Sequence, residues 1–236
     1  LKKQRKKNIS NSIQPPENVF GFQNRLKPRT INQKDYIRTV AENTVTFCQG
    51  VAGSGKTHIA IGMALEYLLD FKVKKIVITR PVVEAGERLG FLPGTAEEKL
   101  HPYLLPIIDE INYFISPMHY AKLKSQRQIE VVPLGLMRGR SFHDSFIVAD
   151  ECQNASYDQL KMLLTRIGMN SKMILTGDIA QSDLQRHLKG GFSILSEMLD
   201  NLLGVGIVKL QSSDIIRNPI IGDIIDRLDA YENRQT

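Results

Sequence analysis

The sequence predicts one α/β domain, built on a largely parallel, doubly wound sheet with helices on both faces. Short apolar, β-branched runs alternate along the chain with longer stretches of helical periodicity. The first such pair encloses Gly50-Val-Ala-Gly-Ser-Gly-Lys-Thr57, which matches G-x-x-x-x-G-K-[ST]. Several later runs end in polar residues, as parallel strands do where they deliver side chains to a common ligand-facing rim.

The bulk properties suit such a domain. A chain of 236 residues can bury a sizeable core. At 42% hydrophobic and 24% charged, its composition is that of an ordinary soluble protein. No apolar run approaches a membrane span, and no signal-peptide pattern opens the sequence. Cys48 and Cys152 fall at strand positions and read as buried thiols, which fits a reducing, cytoplasmic setting. The formal charge of +6 comes mostly from Lys2, Lys3, Arg5, Lys6 and Lys7. It therefore describes a basic arm more than a basic domain.

Taken in order, residues 1–30 are polar, basic and broken by Pro15-Pro16 and Pro28. They read as a mostly flexible arm with an apolar anchor at Val19-Phe20 and Phe22. The domain proper is 31–236. A short helix follows, up to about Glu42. Gln33 lies on it, and its amide offers both the donor and the acceptor that an adenine edge requires. A surface glutamine on a helix is the alternative.

Thr44 to Cys48 is the first strand and His58 to Leu69 the next helix. Between them the glycines let backbone N–H groups converge on one concavity, an anion nest at a helix N-terminus. The candidate nucleotide contacts are Gly50, Val51, Ala52, Gly53, Ser54, Gly55, Lys56, Thr57 and His58. Lys56 supplies a charge for the β- and γ-phosphates, and the Thr57 hydroxyl can ligate Mg²⁺.

Lys75 to Thr79 is a second strand, ended by Arg80-Pro81. Val82 to Gly94 is a long irregular loop, read either as a polymer or partner contact or as a surface excursion. Thr95 to Ile115 reads as one amphipathic helix, ended by Pro117, with a basic connector at Lys122 to Arg127. Ile129 to Val132 is a short strand. Arg138 and Arg140 then flank a glycine, a pairing that suits a phosphate backbone or a subunit interface. Arg80 and Arg88 are further candidates for such contacts.

Ser145 to Ala149 is a strand that delivers Asp150-Glu151 at its end. After a P-loop this resembles the Walker B element of nucleotide hydrolases. Asp150 would hold Mg²⁺ and Glu151 would deprotonate an attacking water. A helix from Tyr157 ends at Gly168, a natural C-cap. The strand Lys172 to Thr176 leads to Gly177-Asp178-Ile179-Ala180-Gln181, which places the Gln181 amide to sense a γ-phosphate. A helix from Phe192 to Leu202, a strand from Gly206 to Leu210 and a last helix from Ile220 to Leu228 complete the pattern. Arg217 and Arg166 are candidates to stabilise transferring phosphate.

The ordered set Gln33, GVAGSGKT, TRPVVEAGERLGFLPG, RGRS, FIVADECQN, LTRIG, TGDIAQSDL and DIIRNP resembles the PhoH family, P-loop ATPases related to superfamily 1 helicases. The resemblance covers nearly all of the chain after about residue 25. It implies a RecA-like core, ATP and Mg²⁺ at the motifs named, a link to RNA, and assembly into rings. The sequence departs from the family pattern at Cys152, usually Ala, and at Ser54, usually Thr. No nuclease domain of the kind fused to some members precedes the motifs, so RNA cleavage is not expected. A lone RecA-like domain needs an arginine from a neighbour, which points to a homo-oligomer, as a hexameric ring, with Arg166 or Arg217 acting in trans. Three functions follow: an ATPase coupled to RNA or single-stranded DNA, a nucleotide-gated binding or scaffold ring with little turnover, and a small-molecule kinase. Asp150-Glu151 and the lack of an arginine-rich lid argue against the kinase.

Overall fold

A computed structural model describes residues 21–81, 96–184, 190–216 and 227, with 96–102 described by their backbone. The elements are α1 (Ile31–Glu42), β1 (Val45–Gly50), α2 (Lys56–Leu69), β2 (Lys75–Thr79), α3 (Ala96–Phe114), α4 (Pro117–Ser125), β3 (Ile129–Val131), β4 (Ser145–Ala149), α5 (Tyr157–Leu164), β5 (Lys172–Gly177), α6 (Gly191–Met198) and β6 (Val205–Leu210). The six strands form one sheet in the order β3-β2-β4-β5-β1-β6, and every described pairing is parallel.

Alternation along the strands builds two cores, one on each face. Phe146 and Val148 of β4 pack into the core covered by α1, α2, α3 and α4. Ile147 and Ala149 pack into the other, covered by α5 and α6. β1, β2, β4 and β5 are buried on both faces and read as continuous apolar runs, and that is why they were visible in the sequence. Because all strands run the same way, β1, β2, β4, β5 and β6 end on one rim. That rim carries the site.

The ends of α1 are held by side chains. Thr30 caps its start by accepting from Gln33 N. At its other end Lys172 Nζ donates to the carbonyls of Val40, Ala41 and Asn43, a cation placed where helix carbonyls lack partners. Residues 21–29 lie against the domain. Gln23 N donates to Phe114 O at 2.7 Å, and Phe22 and Leu26 pack on the first core. Val19 and Phe20 lie outside the described residues, as do the loop 82–94 and most of the segment 217–236.

Two local expectations are corrected. Lys122 to Arg127 does not begin a connector: Lys122 to Ser125 form the last turn of α4, which Pro117 opens with Ser116 as N-cap. A proline at the first helical position gives up an N–H that has no partner there in any case. Gly168 is not the C-cap of α5, which ends at Leu164 with Thr165 as cap. Gly168 is small because the chain before β4 presses on it: a Cβ there would meet Phe142 O at 2.5 Å. Both cysteines are free and buried, as the sequence indicated. Burial pushes the Cys48 thiol up to about 12, and burial beside two carboxylates raises that of Cys152.

Candidate functional site

The glycine-rich turn joins β1 to α2 at the middle of the rim. Gly55 sits at φ 94°, a conformation open to glycine, and it forms the N-cap of α2 without a side chain. The N–H groups of the first turn of α2 are therefore left facing the concavity. Ser54 is fully buried and folds the turn on itself, its Oγ donating to Val51 O at 2.8 Å. Lys56 Nζ donates to the carbonyls of Gly50 and Val51 at 2.6 and 2.9 Å. These carbonyls hold the ammonium across the mouth of the loop.

Asp150 follows β4, and β5 lies between β4 and β1. The Asp150 carboxylate is 3% exposed, so its charge must be met by donors. Oδ1 accepts from Thr57 Oγ1 at 2.8 Å and from Thr176 Oγ1, the hydroxyl of β5, at 2.6 Å. The Walker A hydroxyl and the Walker B acid therefore touch. Glu151 then takes φ 55° and ψ 39°. In a continued strand Glu151 would point away from the face of Asp150; the left-handed turn brings it onto the cavity instead.

The cavity has a volume of about 590 Å³. The turn and Glu151 form its phosphate end, and Gln33, His58, Lys27 and Arg29 continue the wall. Asp109, Glu110 and Tyr113 of α3 close the opposite side. His58 Nδ1 lies 2.9 Å from Glu110 Oε2, tying α2 to α3. Gln33 is buried, and its amide is partly committed: Nε2 donates to Ser54 O at 3.0 Å and Oε1 accepts from Arg29 N at 2.8 Å. It thus braces the turn, while a second N–H and a second lone pair are left for a ligand. Asp214, after β6, anchors this corner by accepting from Asn32 Nδ2 and Gln211 N. Burial raises its carboxyl, but hydrogen bonds from Thr30, Gln211 and Asn32 outweigh that and hold it below its ordinary value.

The structure brings together Gln33, the turn, Lys56, Thr57, His58, Asp150 and Glu151. Gln181 lies in the turn after β5, its N–H donating to Asp178 O; its side chain is exposed and does not line the cavity. Arg80, a candidate for polymer or partner contact, is half-buried, with one guanidinium nitrogen donating to Tyr103 O at 3.4 Å and the other near Glu151. β2 and β4 are neighbours, with Thr79 opposite Ala149, so Arg80 and Glu151 leave adjacent strand ends. Their side chains meet at 3.5 Å.

Arg166 lies at the opposite rim. Its carbonyl accepts from Phe142 N, ahead of β4, whereas Asp150 follows that strand of five residues. That strand separates them by roughly 16 Å at about 3.3 Å per residue. Its guanidinium bonds Met162 O, Arg140 O and Thr165 Oγ1. Arg138 is exposed. Arg140 is not a free phosphate grip: it forms a bidentate pair with Glu130 at 2.7 and 2.9 Å. Lys75 joins the same carboxylate. Arg88 and Arg217 lie outside the described residues.

Sequence reasoning missed Thr176, Gln153 and the wall from α3. Thr176 was the last residue of a strand, and Gln153 stood in the DECQN motif without a role. The cavity residues of α3, at 109, 110 and 113, follow helical spacing, but an amphipathic pattern does not say what its polar face meets.

Fold and site define the class: this is a P-loop NTPase domain. A family model described as PhoH-like protein matches residues 25–229. A PhoH-like protein of Mycobacterium tuberculosis (strain ATCC 25618 / H37Rv) is 44% identical over 207 residues, covering 88% of this chain and 59% of the relative. One from Bacillus subtilis (strain 168) is 41% identical over 204 residues, covering 86% and 64%. Protein PhoH of Escherichia coli (strain K12) is 38% identical over 190 residues, covering 80% and 54%. The chain belongs to the PhoH-like family, and it spans less than two thirds of the length of these relatives. In fold it is similar to the large terminase of a thermophilic bacteriophage, with a TM-score of 0.56 at 10% identity, over 85% of this chain and 50% of that one. Among the described residues no helix is long and apolar enough to cross a membrane.

Proposed function

We propose that the chain is a Mg²⁺-dependent ATPase that transfers the γ-phosphoryl group to water, coupled to binding or remodelling of RNA or single-stranded DNA. One observation carries the hydrolytic part: the 2.8 Å bond from Thr57 Oγ1 to the buried carboxylate of Asp150, beside the glycine-rich turn and with Glu151 on the same cavity.

The donors fit a magnesium ion. One hydroxyl and one carboxylate are what Mg²⁺ takes from a protein when phosphates and water complete its shell. Among the described residues no cluster of three or more His, Cys, Asp or Glu stands ready to hold a metal unaided, so the nucleotide would have to contribute. Thr57 and Asp150 would hold it; bound, the ion supplies charge neutralisation at the β- and γ-phosphoryl oxygens.

The residues of the chain do the rest. Backbone N–H groups of the turn bind phosphate oxygens. Lys56 exchanges the carbonyls of Gly50 and Val51 for the β- and γ-phosphates, a move within the reach of one flexible side chain. Gln33 reads the adenine edge with its spare N–H and lone pair. Glu151 accepts the proton of the attacking water. The basic residues 2–7 and the family resemblance support a polyanionic partner. The family resemblance supports a homo-oligomer, as a hexameric ring with cytoplasmic residence, in which Arg166 or Arg217 would reach the nucleotide of a neighbour.

ATPase rate measured with and without single-stranded RNA tests the coupling. Stimulation is expected. ATP hydrolysis indifferent to both RNA and single-stranded DNA would remove the coupled function while leaving the nucleotide site intact.

A further inference from the structure

Gln153 has no part in the hydrolytic scheme above, yet it is bonded directly to the residue that serves there as base. It lies in the 3-10 turn Cys152–Asn154 and is buried. Its amide is engaged at both ends. Nε2 donates to Glu151 Oε2, and Oε1 accepts from Asp178 N at 3.0 Å. A reversed amide would set its oxygen against a carboxylate and its NH₂ against an N–H, so the two partners fix its orientation.

The same segment is fastened to the turn after β5 at three more points. Ser182 Oγ donates to Gln153 O at 3.0 Å. Asp183 N donates to Asn154 Oδ1 at 2.9 Å, and Asn154 Nδ2 donates to Asp183 Oδ2 at 3.3 Å. β5 runs between β1 and β4, so its turn leaves the rim beside the end of β4. Glu151, with its left-handed backbone, is a residue that must be held in place.

We propose that Gln153 is the positioning residue through which the turn after β5 sets the orientation of Glu151. The inference rests on the reading of Glu151 as proton acceptor. A shift of the β5 turn when phosphate fills the cradle passes through one amide to one carboxylate oxygen. The other oxygen faces Arg80, so the glutamate is steered from the ends of two strands.

The test uses the full chain with Mg-ATP, measuring kcat, KM and the Kd of a non-hydrolysable ATP analogue for Gln153→Met, Glu151→Gln and the double variant. Methionine keeps the length and packing of glutamine and removes both hydrogen bonds. The expected result for Gln153→Met is a kcat about 10- to 100-fold lower with analogue Kd within about threefold of wild type, a kcat loss that packing alone would not cause. In the Glu151→Gln background the same change should cost little more, since the two act as a unit. Wild-type turnover in Gln153→Met, with Glu151→Gln inactive, would overturn this inference alone. Normal turnover in Glu151→Gln would remove the base and this inference together.

Discussion

The guanidinium of Arg80 stands 3.5 Å from the carboxylate of Glu151, bridging the ends of two adjacent parallel strands. Both side chains are partly exposed and the contact is long, so the pair adds little to stability, less than about 1 kcal/mol. Its importance lies in where it points the glutamate. Arg80→Ala should lower kcat about 10-fold while the thermal midpoint moves by no more than about 3 °C. Arg80→Lys keeps the charge but not the fork and should fall between. Steady-state kinetics with a melting curve for each variant checks this; unchanged kcat with weakened nucleotide binding would mean that Arg80 serves the phosphates instead.

The pair on the distal side has the opposite character. Hydrogen bonds from Arg140, followed by Lys75, hold the Glu130 carboxyl down at about 2 against the pull of burial. An unfolded glutamate titrates near about 4.3. The folded value is lower, so the stabilisation is present above about pH 4.3 and is lost as pH falls toward about 2. With both partners about one-third exposed, solvent screening limits it to about 1–2 kcal/mol. Urea unfolding of wild type and Arg140→Met should differ by this amount at pH 7 and converge as the pH approaches about 2. A constant gap would assign the effect to the packing of Arg140 on the Phe142 ring instead.

How much of this was legible depends on what each residue touches. The strands were legible because a parallel sheet buried on both faces leaves uninterrupted apolar runs, and the P-loop because its residue types are required by the backbone they must form. Asp150 and Glu151 were legible from their place at a strand end. Arg140 and Arg80 were not, because their partners are Glu130, on β3, and Glu151, just past β4, and only strand order says which elements adjoin. Gln33 was legible as a polar residue near a motif and Gln153 was not, because their amides are defined by backbone groups distant in sequence, Ser54 O and Asp178 N. Gly168 carried a turn-like signal whose cause is a close approach by Phe142 O.

That approach makes Gly168 a stability determinant. A methyl group placed 2.5 Å from a backbone carbonyl cannot be relieved by a rotamer change; the chain before β4 must move. Gly168→Ala should cost about 1–3 kcal/mol, seen as a lower denaturant midpoint with unchanged slope. Nucleotide binding should survive, since Phe142 and the cradle lie at opposite ends of β4. A variant as stable as wild type would show that this connection yields easily.

Lys172 offers a second stability test without steric strain. Its ammonium meets three carbonyls at the end of α1, at 2.8, 3.0 and 2.5 Å, and its burial lowers its own pKa. Lys172→Met preserves the stem and strands the carbonyls, so a loss of about 1–3 kcal/mol is expected. The end of α1 should then exchange its amide hydrogens faster than its Gln33-bearing start, which Thr30 still caps. Uniform acceleration across α1 would argue against a local capping role.

The buried acid gives the cleanest separation of charge from structure. Asp150→Asn retains an oxygen that can accept from both Thr57 and Thr176, so the two hydroxyls keep a partner and the rim should stay folded. What disappears is the negative charge. If that charge serves a divalent cation, kcat should fall at least about 100-fold and half-maximal activity should require more Mg²⁺. Thr57→Ala removes one ligand and keeps the charge, so its Mg²⁺ requirement should rise with a smaller loss of kcat. EDTA should abolish wild-type turnover, and added Mg²⁺ should restore it. ATPase rate against Mg²⁺ concentration for the three proteins, with melting curves as controls, provides the readout. Superimposable Mg²⁺ curves for wild type and Asp150→Asn would show that the acid holds two hydroxyls and nothing else.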